Sequence, residues 1–292
     1  MALAKGRPDD FKPIPAKDVE LVKKTTIKGP PSWAGGGKDK KKDEQAATGI
    51  SGDCFSGQKY AIVIGISEYP GDANDLEYCD DDARAVENTL LEVYEFDNVI
   101  TLMDEGATAS AIESAINTIG DSAGSDDEVV FFFSGHGAKG RANDGDKEKI
   151  DEAIVSHDGD NLVYIWDGHL KDLFSDFETS RIIFVFDTCL AGGMTDLAAE
   201  GRVINMASTE RGYSYEGDTW EHGEFTYYFI VHGMYMGEAD VFDHDGDNTT
   251  GQNFDVAVEE AFDYAKENCI YDKPTIRDNF DDDLLLNFKC SE

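Results

Sequence analysis

Two runs of apolar residues constrain this chain most, because each favours a strand that is buried on both faces of a sheet. Residues 129–133 read Val-Val-Phe-Phe-Phe, and residues 182–186 read Ile-Ile-Phe-Val-Phe. Such runs are typical of parallel sheets covered by helices. Further strand and helix patterns alternate from residue 59 onward, with a closing strand at 283–288. The sequence therefore predicts an α/β fold, a mostly parallel β-sheet flanked by helices on both faces.

Each of these two runs ends in residues that can perform chemistry. The first leads into Ser-Gly-His-Gly, where the histidine is His136, and the second leads into Asp-Thr-Cys, where the cysteine is Cys189. Parallel strands bring such residues to one edge of a sheet, and a thiol beside an imidazole is the minimum for an activated thiolate. Taken singly, a free cysteine usually packs in a core, and a histidine between glycines usually lies in a loop.

The charge of the chain bears on its partners. The sequence has 61 acidic and 25 basic residues, a formal net charge of −36. Nucleic acids and anionic membranes would be repelled, so we expect neither as a partner. An acidic surface favours metal cations, basic peptides or a high-salt habitat, and charge alone does not separate these three.

Features that would direct the chain out of the cytoplasm are not found in the sequence. It has no run of about 18 apolar residues, which a membrane-spanning helix needs. Residues 1–10 lack the apolar core of a signal peptide. The five cysteines are an odd number without Cys-x-x-Cys spacing, which disfavours a disulfide framework or a zinc site. We therefore expect a reducing, cytoplasmic setting.

Residues 1–57 differ in composition from the remainder. They contain five of the seven prolines, three consecutive glycines and a lysine-rich stretch at 38–42. This composition predicts a flexible basic N-terminal arm, followed by one folded domain at 58–292. The arm has two interpretations: a solvated tail, or a pro-segment that lies across the acidic domain and over the active cleft.

Four stretches resemble the caspase-like cysteine peptidases, and most of all the prokaryotic metacaspases (orthocaspases). They are residues 60–67, residues 76–83 (Leu-Glu-Tyr-Cys-Asp-Asp-Asp-Ala), residues 133–137 (Phe-Ser-Gly-His-Gly) and residues 186–192 (Phe-Asp-Thr-Cys-Leu-Ala-Gly). Their order and spacing fit that family over residues 59–290. The resemblance implies a caspase-like fold and a cysteine-type endopeptidase, usually monomeric, acting on peptides or proteins.

The same resemblance implies roles for individual residues. Cys189 corresponds to the nucleophile and His136 to its acid or base partner. The backbone N–H groups of Gly137 and Cys189 correspond to an oxyanion hole, which would stabilise the charge formed on attack. A glycine at position 137 lets the backbone approach a substrate closely.

The resemblance also implies an acidic pocket for a substrate arginine or lysine before the cleaved bond. The matching positions are Asp82, Asp187 and, as a lining residue, Ser134. Two carboxylates suit a guanidinium, and Asp187 faces the same way as Cys189 because strand side chains alternate. Each aspartate also has a structural interpretation: Asp82 could stabilise a helix N-terminus, and Asp187 could cap a strand.

Calcium activation is common among the relatives, and the matching ligand positions are Asp151, Asp167 and Asp196. Hard oxygen ligands from separate loops suit Ca²⁺. The acidic residue that often follows the Asp167 position is Gly168 here, so the resemblance leaves calcium control open.

The resemblance also implies a zymogen that cleaves itself after a basic residue. We expect this cleavage in the arm at 38–42 or in the acidic loop at 142–152. Basic residues at the candidate sites outside the arm are Lys147, Lys149, Arg202 and Arg211. The leading hypothesis is thus a self-processing endopeptidase for basic substrates. The alternative is an inactive caspase-like scaffold that binds peptides.

Overall fold

A computed structural model describes residues 11–29, 45–49, 56–145, 148–244 and 246–286. In chain order its strands are β1 Ala16–Val22, β2 Thr25–Ile27, β3 Lys59–Gly65, β4 Asn98–Met103, β5 Glu128–Ser134, β6 Gly137–Ala142, β7 Asp151–His157, β8 Leu162–Trp166, β9 Ile182–Asp187, β10 Arg202–Met206, β11 Tyr215–Gly217, β12 His222–Gly223 and β13 Thr275–Asp278. The longer helices are α1 Cys79–Glu92, α2 Ala109–Ser122, α3 Asp167–Ser175, α4 Glu224–Thr226 with its π-helical continuation Tyr227–Tyr235, and α5 Val258–Asn268.

The central sheet has six strands in the order β13-β10-β9-β5-β3-β4. All neighbouring pairs are parallel except β10 and β13. The two apolar runs of the sequence form β5 and β9, which are direct neighbours with Ser134 opposite Asp187. The predicted α/β class with a mostly parallel sheet is therefore confirmed.

Side chains of the central strands alternate between two cores. In β3, Ile62 and Ile64 face a core that contains residues of α2 and α3. Ala61 and Val63 face the opposite core, built with α1, α4 and α5. Because successive strand residues point to opposite faces, one apolar strand supplies both cores, and helices cover both faces of the sheet.

Two smaller sheets border the carboxyl edge of the central one. One is antiparallel, in the order β1-β6-β7-β8, and the other has the order β12-β11-β2. The N-terminal strands β1 and β2 thus belong to the folded domain. Residues 11–29 are not the free arm that composition suggested, because β1 pairs with the exposed edge of β6. The lysine-rich stretch at 38–42 lies outside the described residues.

One further feature of the sequence interpretation needs correction. Residues 283–286 are not a strand: Leu284 and Leu286 pack in a core, and the Leu284 N–H donates to the Glu259 carboxylate instead of to a neighbouring strand. The closing strand is β13, antiparallel to β10. No helix in the described ranges is long and apolar enough to cross a bilayer.

Candidate active site

The ends of β5 and β9 bring together the predicted catalytic residues. Ser134 and Asp187 pair at the ends of the two strands, and His136 and Cys189 each follow two residues later. Gly137 follows at the start of β6, and a Cβ there would lie 2.1 Å from the Cys189 carbonyl oxygen. Only glycine fits this approach, so the strand ends can meet at one edge as the sequence predicts.

His136 is held as a neutral imidazole. Its ring stacks on Tyr69 with centroids 4.8 Å apart, and Nε2 lies 2.8 Å from the Asn74 carbonyl oxygen. A carbonyl only accepts, so Nε2 carries the proton, and Nδ1 accepts the backbone N–H of Lys24 at 3.1 Å. Burial, together with Lys23 and Lys24, lowers the pKa of His136 to about 4.

Cys189 is covered in this structure and is not hydrogen-bonded to His136. Its Sγ accepts the Ser214 N–H at 3.2 Å and lies 3.8 Å from the Ser214 carbonyl oxygen. The side chain packs against Val22 and Leu190 and is 1% exposed. Burial raises the pKa of Cys189 to about 12, so the thiol is protonated.

The predicted pocket residues Asp82, Ser134 and Asp187 lie together and are fully buried. The Ser134 hydroxyl donates to Asp82 Oδ2 at 2.7 Å. Asp187 accepts the hydroxyls of Ser214 at 2.7 Å and Thr226 at 2.6 Å. Such bonds fix the carboxylates and leave oxygens directed into one small acidic cavity.

Lys24, which lies between β1 and β2, fills this cavity. Its Nζ lies 2.8 Å from Asp187 Oδ1, 3.1 Å from Ser134 Oγ and 3.6 Å from Asp82 Oδ2. Burial lowers the pKa of Lys24, but the nearby acidic groups outweigh it, Asp187 most of all, and the pKa stands well above its ordinary value. The ammonium in turn holds the pKa of Asp187 below its usual range, against the effect of burial.

Sequence reasoning missed Lys24 and also two residues of the pocket wall. His222 Nδ1 lies 3.0 Å from Asp82 Oδ1, and the Gly223 N–H donates to the same oxygen at 2.9 Å. A Cβ on Gly223 would lie 2.7 Å from Lys24 Nζ. The only local signal for Lys24 was the strand-like alternation of residues 16–22, which the surrounding prolines and glycines obscured.

Among the described residues, Asp167 is the one predicted calcium ligand that belongs to a group of side chains close enough to hold a metal ion. Asp151 accepts the Ala142 N–H at 2.8 Å, and Asp196 lies 3.4 Å from the Lys171 ammonium. The reason is the alternation of β7: Asp151 faces one side, and the next residue, Glu152, faces the other.

Asp167 instead lies in a different acidic cluster. Its ligand oxygen and those of Glu148 and Glu152 are within 4.8 Å of one another. Glu152 Oε2 is buried without a hydrogen-bond partner. Burial, and then the charges of nearby acidic groups led by Glu210, raise the pKa of Glu152 to about 8. This acidic cluster offers oxygens of the kind that Ca²⁺ binds.

The candidate self-cleavage sites differ in access. Arg202 is buried in β10, and its guanidinium donates to the carbonyls of Leu197 and Phe174, so it cannot reach a protease cleft. Lys149 and Arg211 are exposed. Lys147 lies outside the described residues.

Comparison with known proteins relates this geometry to a family. Residues 59–198 match the family described as metacaspase, peptidase C14 domain. Metacaspase-4 of Arabidopsis thaliana is 33% identical over 152 residues, covering 49% of this chain and 35% of that protein. Metacaspase-1 of Pyricularia oryzae is 28% identical over 158 residues, covering 49% and 38%. The chain thus spans little more than a third of the length of these curated relatives.

A solved structure of a protein from Geobacter sulfurreducens resembles the fold, with a TM-score of 0.57 and 16% identity over 80% of this chain and 97% of that one. That likeness concerns the fold alone, and the prokaryotic branch stays a prediction. The family match spans α1, which contains Asp82, and the strands β5 and β9, after which His136 and Cys189 follow. Over residues 59–198, the chain is therefore similar to the peptidase domain of the metacaspases.

Proposed function

We propose that this chain is a cysteine endopeptidase that cuts after lysine or arginine. The observation that carries the proposal is the Lys24 ammonium, which is held by Asp187, Ser134 and Asp82 beside the thiol and the imidazole. Buried carboxylates are costly unless a cation joins them, so the cavity selects a basic side chain. An aspartate side chain there would be repelled.

The proposed chemistry uses both nitrogens of His136. Once its Nδ1 is free of Lys24, that atom takes the Cys189 proton, while the Asn74 carbonyl holds Nε2–H and stabilises the imidazolium. The thiolate attacks the peptide carbonyl, and the N–H groups of Gly137 and Cys189 stabilise the oxyanion. The imidazolium then protonates the leaving amine, and water hydrolyses the acyl-enzyme.

The test is a panel of fluorogenic peptides with lysine, arginine or aspartate before the cleaved bond. We expect hydrolysis of the lysine and arginine peptides and a loss of at least about a thousandfold in Cys189→Ala, as for other covalent nucleophiles. Hydrolysis that survives Cys189→Ala, or a preference for aspartate, would contradict the proposal.

Covalent labelling distinguishes the peptidase from the alternative, an inactive scaffold that binds peptides. An arginyl chloromethyl ketone should alkylate Cys189 stoichiometrically if the thiolate forms beside a basic-specific pocket. A folded protein that binds arginine peptides but never reacts would favour the scaffold. The assay needs the Lys24→Met chain as well as the wild type, because Lys24 fills the pocket.

Two finer features belong to the same proposal. Self-processing at 38–42 or in the acidic loop would make the protein a zymogen, and intact-mass analysis against Cys189→Ala tests it. We also propose a monomer acting on basic peptides or proteins in the cytoplasm, where the described cysteines, Cys79, Cys189 and Cys269, remain as free thiols.

Calcium activation is proposed at the acidic cluster of Glu148, Glu152 and Asp167. The buried, unpartnered Glu152 Oε2 supports it, since a cation there would replace the proton that the raised pKa retains. Calorimetric titration with Ca²⁺ should show binding that Glu152→Gln weakens at least about tenfold, which is the smallest loss typical when even a group next to a metal ligand is changed. Unchanged binding would place any calcium elsewhere.

A further inference from the structure

One segment, residues 21–28, crosses the whole candidate site. Val22 pairs with Gly137 and packs on Cys189, and Lys24 enters the acidic pocket. Thr25 to Ile27 then pair in parallel with β11. The segment therefore contacts the thiol, the imidazole and the pocket at once, as a bound peptide would.

The atom that the segment presents to the imidazole is the wrong one for cleavage. In a productive complex, the residue in the pocket places its carbonyl carbon at the thiol, and the nitrogen of the following residue lies near the imidazole. Here the residue in the pocket, Lys24, places its own backbone nitrogen 3.1 Å from His136 Nδ1. The peptide bond at the imidazole is therefore the one between Lys23 and Lys24.

Cutting that bond would require the Lys23 side chain in the pocket. Lys23 is exposed, and its Nζ donates to the Ala73 carbonyl at 2.6 Å, outside the pocket. The peptide bond at the imidazole therefore follows Lys23, whereas the side chain in the pocket belongs to Lys24, so the bond and the side chain needed for cleavage do not coincide. The Lys24 N–H, and not the N–H of the following residue, faces the imidazole, which is the arrangement expected of a peptide that runs opposite to a substrate.

We propose that the cleft binds a second class of ligand, lysine-containing peptides in reverse orientation, and that residues 21–28 are its resident example. The proposal rests on the proposed peptidase function, whose pocket and dyad the segment occupies. Bound in this way, the segment is an inhibitor that the enzyme does not cut.

Contacts outside the pocket hold the segment in this orientation. The Thr26 hydroxyl donates to Glu216 Oε1 at 2.7 Å, and the Asp218 N–H donates to the Ile27 carbonyl at 3.2 Å. Glu216 also accepts the backbone N–H groups of Glu77 and Tyr78, just before α1. The parallel pairing therefore sets the direction of the segment independently of the lysine.

The chain is also anchored beyond the segment. The N–H groups of Ala46 and Ala47 donate to Asp263, and those of Thr48 and Gly49 donate to Asp283. A cut between residues 29 and 45 would leave both flanking pieces bound by these contacts. Activation then requires dissociation of residues 21–28 after the cut, so cleavage and activity should be separable in time.

The experiment compares full-length chains and then supplies the segment in trans. We expect Lys24→Met to hydrolyse lysine peptides at least about tenfold faster than the wild type, because it removes the buried charge pair that retains the segment. Lys17→Met, which changes an exposed lysine of β1 outside residues 21–28, should match the wild type.

A synthetic peptide of residues 16–29 is then added to the Lys24→Met chain. We expect competitive inhibition, with the peptide recovered intact by mass spectrometry, and no inhibition by the same peptide carrying Lys24→Met. Cleavage of the peptide after Lys23 or Lys24, or absence of inhibition, would overturn reverse binding. So would equal activity of Lys24→Met and the wild type.

Two measurements keep the outcomes distinct. Fluorescence anisotropy of the labelled peptide on the Cys189→Ala, Lys24→Met chain reports binding without catalysis. Binding with no hydrolysis by any variant would contradict the proposed function alone, and hydrolysis without binding would contradict reverse binding alone. If circular dichroism shows that Lys24→Met does not fold, Val22→Asp replaces it, because it breaks the contact with Cys189 and leaves the lysine pocket intact.

Discussion

Two sites in this protein contain buried carboxylates whose pKa values are shifted in opposite directions. In the pocket, Asp187 pairs with the Lys24 ammonium, and its pKa lies below the usual range. In the acidic cluster, burial and neighbouring acidic groups raise the pKa of Glu152 to about 8, against the weaker attraction of Lys139. A buried carboxylate thus stays ionised where a cation is built into the fold and keeps its proton where none is.

The largest effect is expected from breaking the pair in the pocket. Asp187→Asn leaves the buried Lys24 ammonium without its nearest partner, so the free energy of unfolding should fall by about 3–5 kcal/mol. Chemical denaturation measures it. In the Lys24→Met background the same substitution should cost much less. Equal losses in the two backgrounds would show that the ion pair is not what stabilises the pocket.

Filling the pocket tests its shape rather than its charge. In Gly223→Ala the new Cβ would lie 2.2 Å from Asp187 Oδ2 and 2.7 Å from Lys24 Nζ. We expect KM for lysine peptides to rise about tenfold, as for a lost charge-assisted contact. Gly106→Ala, where a Cβ meets nothing within 4 Å, is the matched control. A KM that does not change would place the substrate cation elsewhere.

The acidic cluster should make the stability of the folded protein depend on pH. The folded pKa of Glu152 is raised to about 8, so between its unfolded pKa and pH 8 the folded state holds more protons, and stability falls as pH rises. The slope should be below the limit of about 1.4 kcal/mol per pH unit, because solvent reaches exposed Glu148 and screens the cluster.

Thermal unfolding of the wild type and Glu152→Gln across this range, without calcium, measures that slope. The variant should lack it, and Ca²⁺ should suppress it in the wild type. Identical pH profiles for the two proteins would mean that Glu152 is ionised in the folded state, as Asp187 is.

The smallest effect concerns His222. Burial lowers its pKa, but Asp82, Asp81 and Asp187 outweigh burial and raise it. Below that pKa, the imidazolium competes with the substrate cation for Asp82, so KM for lysine peptides should rise about threefold as pH falls, the scale of a weak ion pair. His222→Gln should flatten the KM profile and leave kcat unchanged. A profile that stays as steep would assign the titration to another group.

Much of the site could be predicted because it depends on local patterns. The runs that form β5 and β9 are apolar over every residue, and strand side chains alternate, so the placement of His136 and Cys189 after them followed directly. Asp82, Ser134 and Asp187 followed from the family motifs. The acidic cluster around Asp167 did not follow, since Asp151 and Glu152 are adjacent in sequence, and the pairing of β7 decides which one lies near Asp167.

Strand composition alone therefore fixed the fold class and the edge of the sheet where the chemistry lies, because hydrophobic burial acts on each segment wherever it packs. Long-range pairing decided that Lys24, 163 positions before Asp187, enters the pocket and that the residues after it pair in parallel with β11. The partner of a basic residue in a proline-rich stretch cannot be predicted from the local sequence, since the ion pair forms only after the sheets have brought distant parts of the backbone together.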